Sequence, residues 1–154
     1  MELPRSVQHI ASVIGRDQAL KLVRALPPCG RRARRRNIYV PRPENLHKDH
    51  RLVQILGWRD ASALARASGG YTLQPALCSH VERAIANRKI LGLADLGYSI
   101  DDIAKQTGKT TKWVQQIIDA RAMHQRGDDV DVISLSVQMS PRMVRNMLGL
   151  EPQP

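Results

Sequence analysis

The sequence predicts a mainly α protein: a helical N-terminal region with short β-strands, followed by tandem helix-turn-helix-like units. Three observations carry this prediction. Apolar residues recur at three- and four-residue steps through most of the chain, the period of a helix with one buried face. Each half of the chain echoes itself at a fixed offset, which marks duplicated supersecondary units. Aromatic residues make up only 3% of the 154 positions and Phe is absent, so Leu, Ile, Val, Ala and Met must build the core, as in small closely packed helices.

The first half repeats at an offset of 42. Val13-Ile14-Gly15 aligns with Ile55-Leu56-Gly57, and Ala19, Leu22, Arg24 and Ala25 align with Ala61, Leu64, Arg66 and Ala67. In each copy a helix starts after the glycine, with Asp17 or Asp60 near its positive end. An extended piece ending in proline follows: Ile38-Tyr39-Val40-Pro41 in one copy, Tyr71-Thr72-Leu73-Gln74-Pro75 in the other. Ile-Tyr-Val favours a strand and the proline ends it or places it at an edge. Gly69-Gly70 turns the chain into the second strand. Such short strands must pair with each other or with those of a second subunit. This sets off residues 1–78 as one helical and short-strand region, a dimerisation region if its strands meet those of a second subunit, with 9–41 and 51–75 read as its duplicated parts.

Residues 79–126 read as a linking helix and a helix-turn-helix unit, and residues 127–154 as a second such unit. Ser79 is placed to cap the linking helix, whose apolar stripe is Val81, Ala84, Ile85, Ile90 and Leu91. The segment Ile103–Ile118 then aligns without a gap with Ile133–Leu148, an offset of 30. In the first copy, Ser99 caps a helix with Asp102 three residues on, a capping box. Gly108 ends that helix, and Thr110 caps the next. Trp113, Val114, Ile117 and Ile118 face inward, leaving Thr111, Lys112, Gln115, Gln116 and Asp119 outward. In the second copy Asp131 is the expected cap of a β-branched first helix, and Ser140-Pro141 opens the next. Met143, Val144, Met147 and Leu148 form its buried stripe, with Arg142, Arg145 and Asn146 outward.

Charge points to a polyanionic partner. The net charge is +10, and 1–80 carry 14 basic against 5 acidic residues, while 81–154 carry 10 against 9. Arg31, Arg32, Arg34, Arg35 and Arg36 put five arginines in six positions. They read either as an arm lying along phosphates or entering a minor groove, or as a solvated loop. Arg83, Arg88, Lys89 and Lys109 are further candidate phosphate contacts. Thr110, Thr111, Lys112, Gln115, Gln116, Arg142, Arg145 and Asn146 are the candidates for base or phosphate contact in a major groove. With two Trp and three Tyr, a base-stacking sheet is not expected.

No apolar run is long enough to span a membrane, and Met1–Gly15 has no basic region leading into an apolar stretch, so neither anchor nor signal peptide is expected. Cys29 and Cys78 read as reduced thiols of a cytoplasmic protein. Together with His47 and His50 they match no tight zinc spacing. No cofactor is expected. Adjacent Asp101 and Asp102 cannot face each other across a substrate, no phosphate-cradling glycine loop exists, and the chain is read as a non-enzyme.

From Gly69-Gly70 through Tyr71 and Pro75, and on to Gly97-Tyr98-Ser99, Ile103-Ala104, Gly108, Thr110, Val114 and Ile117, the chain resembles the Mor transcription activator family of Mu-like phages. The resemblance implies a DNA-binding dimer with Tyr71–Pro75 as the intersubunit strand, and a recognition helix containing Thr110, Thr111, Lys112, Gln115 and Gln116. The expected function is a sequence-specific, double-stranded DNA-binding transcriptional regulator acting as a homodimer. RNA polymerase is the partner for an activator or adaptor role. A DNA-recognition subunit for genome packaging or partitioning, a protein-interaction adaptor, and RNA binding through the arginine run are the alternatives.

Overall fold

The computed structural model describes residues 2–33 and 35–150. The chain divides into two compact units, Met1–Ser79 and His80–Pro154. Both are mainly helical, and the strands lie in the first.

Unit 1 contains α1 (Arg5–Ile14), α2 (Arg16–Ala25), α3 (Arg51–Leu56) and α4 (Trp58–Ser68). One glycine separates the helices of each pair. Gly15 has φ 85°, ψ 159° and Gly57 has φ 81°, ψ 165°, a region closed to residues with a Cβ. Each glycine donates backward and accepts forward, so the bend costs few backbone hydrogen bonds. Gly15 bonds the Ala11 carbonyl at 2.9 Å and receives the Ala19 amide at 3.0 Å, while Gly57 bonds Val53 at 2.7 Å and receives Ala61 at 3.1 Å. The two helix pairs thus share one kind of backbone bend.

The halves pack around a two-fold relation, α1 on α4 and α2 on α3. Gln18 Nε2 donates to Asp60 Oδ2 at 2.7 Å across 42 positions. Two equivalent positions meet directly only at the axis of such a pair. The buried core obeys the same relation: Ile10 and Leu52, Ala19 and Ala61, and Leu22 and Leu64 are all fully buried.

The strands β1 (Pro28–Cys29), β2 (Arg35–Arg36), β3 (Ile38–Tyr39) and β4 (Thr72–Leu73) pair as β1 with β2 and β3 with β4, both antiparallel. Ile38 faces Leu73 and Tyr39 faces Thr72. The same register runs on through the Arg36 amide to the Pro75 carbonyl, 3.1 Å, the Val40 amide to Tyr71, 2.9 Å, and a bridge from Arg35 to Ala76. Residues 35–40 therefore form one nearly continuous edge against 71–76. Of the two pairings open to Tyr71–Pro75, the one within the chain is present, with Ile38–Tyr39 along one edge of β4. Gly69 enters this strand where an added Cβ would run into the Ala65 carbonyl and the Arg42 backbone.

Unit 2 contains α5 (Ser79–Asp95, its first residue at the unit boundary), α6 (Ile100–Thr107), α7 (Thr111–Gln125), α8 (Val130–Val137) and α9 (Pro141–Leu148). The pair α6–α7 repeats as α8–α9 in its caps as well as its core. Ser99 caps α6 and Asp129 caps α8; Thr110 caps α7 and Ser140 caps α9. Asp129 displaces Asp131 as the expected cap because its carboxylate accepts the Asp131 amide at 3.1 Å. Gly108 and Gln138 both adopt the left-handed conformation. The following amides, Lys109 and Met139, return to Ala104 and Ser134 at 3.2 and 3.0 Å.

The repeat is longer than the sequence alignment revealed. Gly97 bonds Ala94 and Tyr98 bonds Leu93 at the end of α5; Gly127 bonds His124 and Asp128 bonds Met123 at the end of α7. So α7 closes the first pair and leads into the second. Ile103, Val114, Ile117, Ala120, Ile133, Val137 and Val144 share one buried cluster with Ile90 of α5. On α5, Ile85 leaves the expected buried stripe and is 45% exposed, while Asn87 is buried.

Gly57→Ala is expected to destabilise the protein by about 1–3 kcal/mol, because the backbone conformation there excludes a Cβ. No heavy atom lies within 4 Å of the added carbon, so the cost is conformational rather than steric crowding. Urea unfolding checks it: the midpoint falls while the slope is preserved.

Candidate nucleic-acid interface

Unit 2 presents two short helix starts built alike. At the first, Lys109 lies exposed in the turn, and Thr111 and Lys112 are exposed in the first turn of α7. The Thr110 hydroxyl accepts the Trp113 amide at 3.1 Å, so this side chain is occupied in capping. Gln115 is exposed and its amide donates to Asp119 Oδ1 at 2.6 Å, one helical turn on. That bond occupies one of the two amide protons of Gln115 and leaves its carbonyl oxygen as an acceptor.

Gln116 departs from the outward position expected for it. Its Nε2 donates to the Val137 carbonyl at 2.7 Å in a half-buried contact. Val137 is the last residue of α8, where carbonyls lack helical partners. Gln116 therefore supplies a missing donor and ties α7 to the end of α8. Helical spacing could place Gln116 on a lateral face but held no record of what α8 would bring against that face.

At the second start, Arg142 and Asn146 are exposed one turn apart on α9, while Arg145 is half-buried. Arg142 occupies the repeat position of Lys112, and Asn146 that of Gln116. The structure thus brings Lys109, Thr111, Lys112 and Gln115 together on one helix start, and Arg142 with Asn146 on the other. On α5, Arg83 and Arg88 are exposed, and Lys89 Nζ donates to the Gln106 carbonyl near the end of α6 at 3.3 Å. Lys105, exposed on α6, was not singled out from the sequence; its signal was its position opposite the buried Ile103 and Ala104.

Several acidic residues of unit 2 have structural partners. Asp95 pairs with Arg121 at 2.7 Å, Asp128 with Arg126 at 3.3 Å, and Asp102 accepts from the Ser99 hydroxyl at 2.8 Å. Asp129 is spent on the cap of α8. Two of these contacts are ion pairs, and Asp119 remains exposed beside Gln115 on α7, so unit 2 is close to charge-balanced around its helix starts.

The arginine run of unit 1 is built into a turn and strand. Arg31 and Arg32 are exposed in a 3-10 turn spanning Arg31–Ala33, and Arg35 and Arg36 form β2 against Pro28–Cys29. Arg34 lies outside the described residues. Arg31, Arg32 and Arg35 are exposed, and the pairing of Arg35–Arg36 with Pro28–Cys29 anchors the described part of the segment. Its tip is conformationally costly, with Arg32 at φ 66° and Ala33 at φ 48°. Arg36 is half-buried and its Nε is enclosed without a hydrogen-bond partner.

The remaining candidates are placed separately. His50 caps α3, its Nδ1 accepting the Leu52 amide at 3.1 Å, while Cys29 is half-buried, Cys78 is buried, and the two are not joined to each other. Among the described residues, no group of three or more His, Cys, Asp or Glu is arranged to hold a metal, and no helix is long and apolar enough to cross a membrane.

Compared with known proteins, the chain matches no family model, no curated protein and no solved structure.

Gln116→Ala is expected to cost about 1 kcal/mol of stability, by leaving the Val137 carbonyl without its donor. Gln115→Ala, at an exposed site, is expected to change stability by less than about 0.5 kcal/mol. Paired thermal and urea unfolding curves distinguish them; equal losses would contradict the different placements of these neighbouring side chains.

Proposed function

We propose that unit 2 is a tandem pair of helix-turn-helix elements and that the protein is a sequence-specific, double-stranded DNA-binding regulator. The observation that carries this reading is the repeated turn. In each pair a left-handed residue, a connecting residue and a hydroxyl cap set the second helix, and that helix begins with exposed polar or cationic side chains. A helix start of this kind favours phosphate at its amides and offers side chains to a major groove.

In this reading Lys109, Lys112 and Arg142 hold phosphates, and Thr111, Gln115 and Asn146 meet base edges. Gln116 and Thr110 act through the fold, by fixing α7 against α8 and by capping. Arg145 takes a lateral position. The Mor resemblance supports the same assignment of α6–α7, and extends it to transcriptional activation with RNA polymerase as partner.

Homodimerisation was expected to supply two reading heads and to complete the strand pairing. Both are available inside one chain: α7 and α9 are two candidate reading helices, and β4 pairs with β3. One chain per binding site is therefore the minimal complex, and sedimentation of a protein–duplex complex separates it from a dimer.

Selection from a random duplex library, followed by titration at several salt concentrations, tests the proposal. Lys112→Ala is expected to weaken all duplexes alike and to reduce the salt slope by about one phosphate contact. Arg142→Ala with Asn146→Ala is expected to shorten the footprint at one end. Binding no tighter than to heparin, without sequence preference, would overturn the reading.

A further inference from the structure

The ladder in unit 1 leaves one face of its small sheet open. On the strand over residues 35–40, alternate positions are buried or half-buried at Arg36, Ile38 and Val40, and exposed at Arg35, Asn37 and Tyr39. The opposing strand matches it: Thr72 and Gln74 are exposed, while Leu73 is half-buried and Pro75 is buried. Directly paired residues point to the same face of an antiparallel sheet. The register Ile38 to Leu73 and Arg35 to Ala76 sets Asn37 across from Gln74, and Tyr39 across from Thr72.

The open face is chemically graded. Tyr39, 54% exposed, stands at one end. The carboxamides of Asn37 and Gln74 occupy the middle. At the other end Cys29, Gly30, Arg31, Arg35, Asn37 and Gln74 line a cleft of about 390 Å³. Arg35 Nη1 donates to Gln74 Oε1 at 3.2 Å, which leaves the Gln74 amide group free to orient toward a ligand. Arg31, at the start of the arginine turn, is among the residues lining this end.

We propose that this face binds unpaired nucleotides of a single-stranded nucleic acid. Its parts correspond to the needs of an unpaired base. A phenol ring gives a stacking surface, two carboxamides carry the donor and acceptor groups that match an exposed Watson–Crick edge, and arginines take the phosphates. Same-face side chains lie about 6.5–7 Å apart along a strand, so the graded elements follow one another along an extended backbone. A duplex hides the Watson–Crick edges and the base faces, and so cannot use Tyr39 and the carboxamides together. The site is separate from α7 and α9, and does not depend on the duplex-reading assignment. It also revises the expectation drawn from the scarcity of aromatics: one exposed tyrosine, placed among amides and arginines, provides a stacking platform.

Fluorescence anisotropy with the full chain tests this, using a twelve-nucleotide single-stranded DNA, the RNA of the same sequence, and the matching DNA duplex. Tyr39→Ala is expected to weaken single-strand binding about tenfold and leave duplex binding within about twofold, whereas Tyr39→Phe retains both. Asn37→Asp, at an exposed position, gives a second variant that introduces a repelling charge and is expected to show the same selectivity. Lys112→Ala is expected to affect the duplex and spare the single strand, so failure of one site is distinguishable from failure of the other. Tighter binding of RNA than of DNA would assign the 2′-hydroxyl a contact; equal binding would place recognition in base and phosphate alone. Equal loss of duplex and single-strand affinity in Tyr39→Ala, or no loss in either tyrosine or asparagine variant, would overturn the proposal.

Discussion

The burial of α7 is the constraint on which unit 2 depends. Val114, Ile117 and Ala120 are fully buried on a helix that serves as second member of one pair and as lead-in to the next. A helix in both roles needs apolar surface toward α6 on one side and toward α8 and α9 on another. Its apolar residues consequently spread around the helix and alternate with Gln116, which faces α8 through a hydrogen bond. The exposed residues at the start and middle of α7 are Thr111, Lys112, Gln115 and Asp119. Packing therefore decides which polar side chains are available to a ligand. Removing the last two helices would uncover Ile117 and its neighbours, so point changes at Arg142 and Asn146 probe that segment more cleanly than truncation.

Unit 1 follows a different rule of duplication. Its two halves face each other, and the Gln18–Asp60 bond marks where equivalent positions meet. The halves differ in one respect. Between α2 and β3 the chain makes the β1–β2 hairpin with its arginines, but between α4 and β4 it makes only a short glycine turn. The charge excess of the first half is thus concentrated in a segment that only one half possesses. The symmetric part supplies a rigid base of buried Ile, Leu and Ala, and the unmatched hairpin adds chemistry to it.

Much of this organisation was legible in the sequence. The offsets of 42 and 30, the glycines at 15 and 57, and the caps at Ser99, Thr110 and Ser140 all carry local signals, because each depends on one residue's own backbone preference. Long-range pairing was harder to read. Nothing local told whether Tyr71–Pro75 would meet Ile38–Tyr39 or another chain, and the answer lies in a register set over more than thirty residues. Gln116 and Ile85 were misplaced for a related reason: helical periodicity assigns a face, while the neighbour that covers it is chosen by tertiary packing. Asp129 rather than Asp131 became the cap because both are chemically suitable and only the chain direction at the turn selects between them. The open sheet face was encoded in the alternation of Arg35, Asn37 and Tyr39 around buried Ile38, yet its partner Gln74 could be found only through the fold.

The repetition in unit 2 has a further consequence. Facing duplicates, as in unit 1, exchange places under a half-turn, so neither comes first. Successive duplicates that share a middle helix do not: α5, α7 and α9 follow one another in a single sense, and each pair has a distinct predecessor. Such an array has polarity. A ligand that engages α7 and then α9 is held in one direction, like a word read from left to right, and its reversed copy presents different groups to the same two helices. In the proposed duplex-reading role, direct repeats or two unlike half-sites in fixed order suit this order of helices better than a palindrome does.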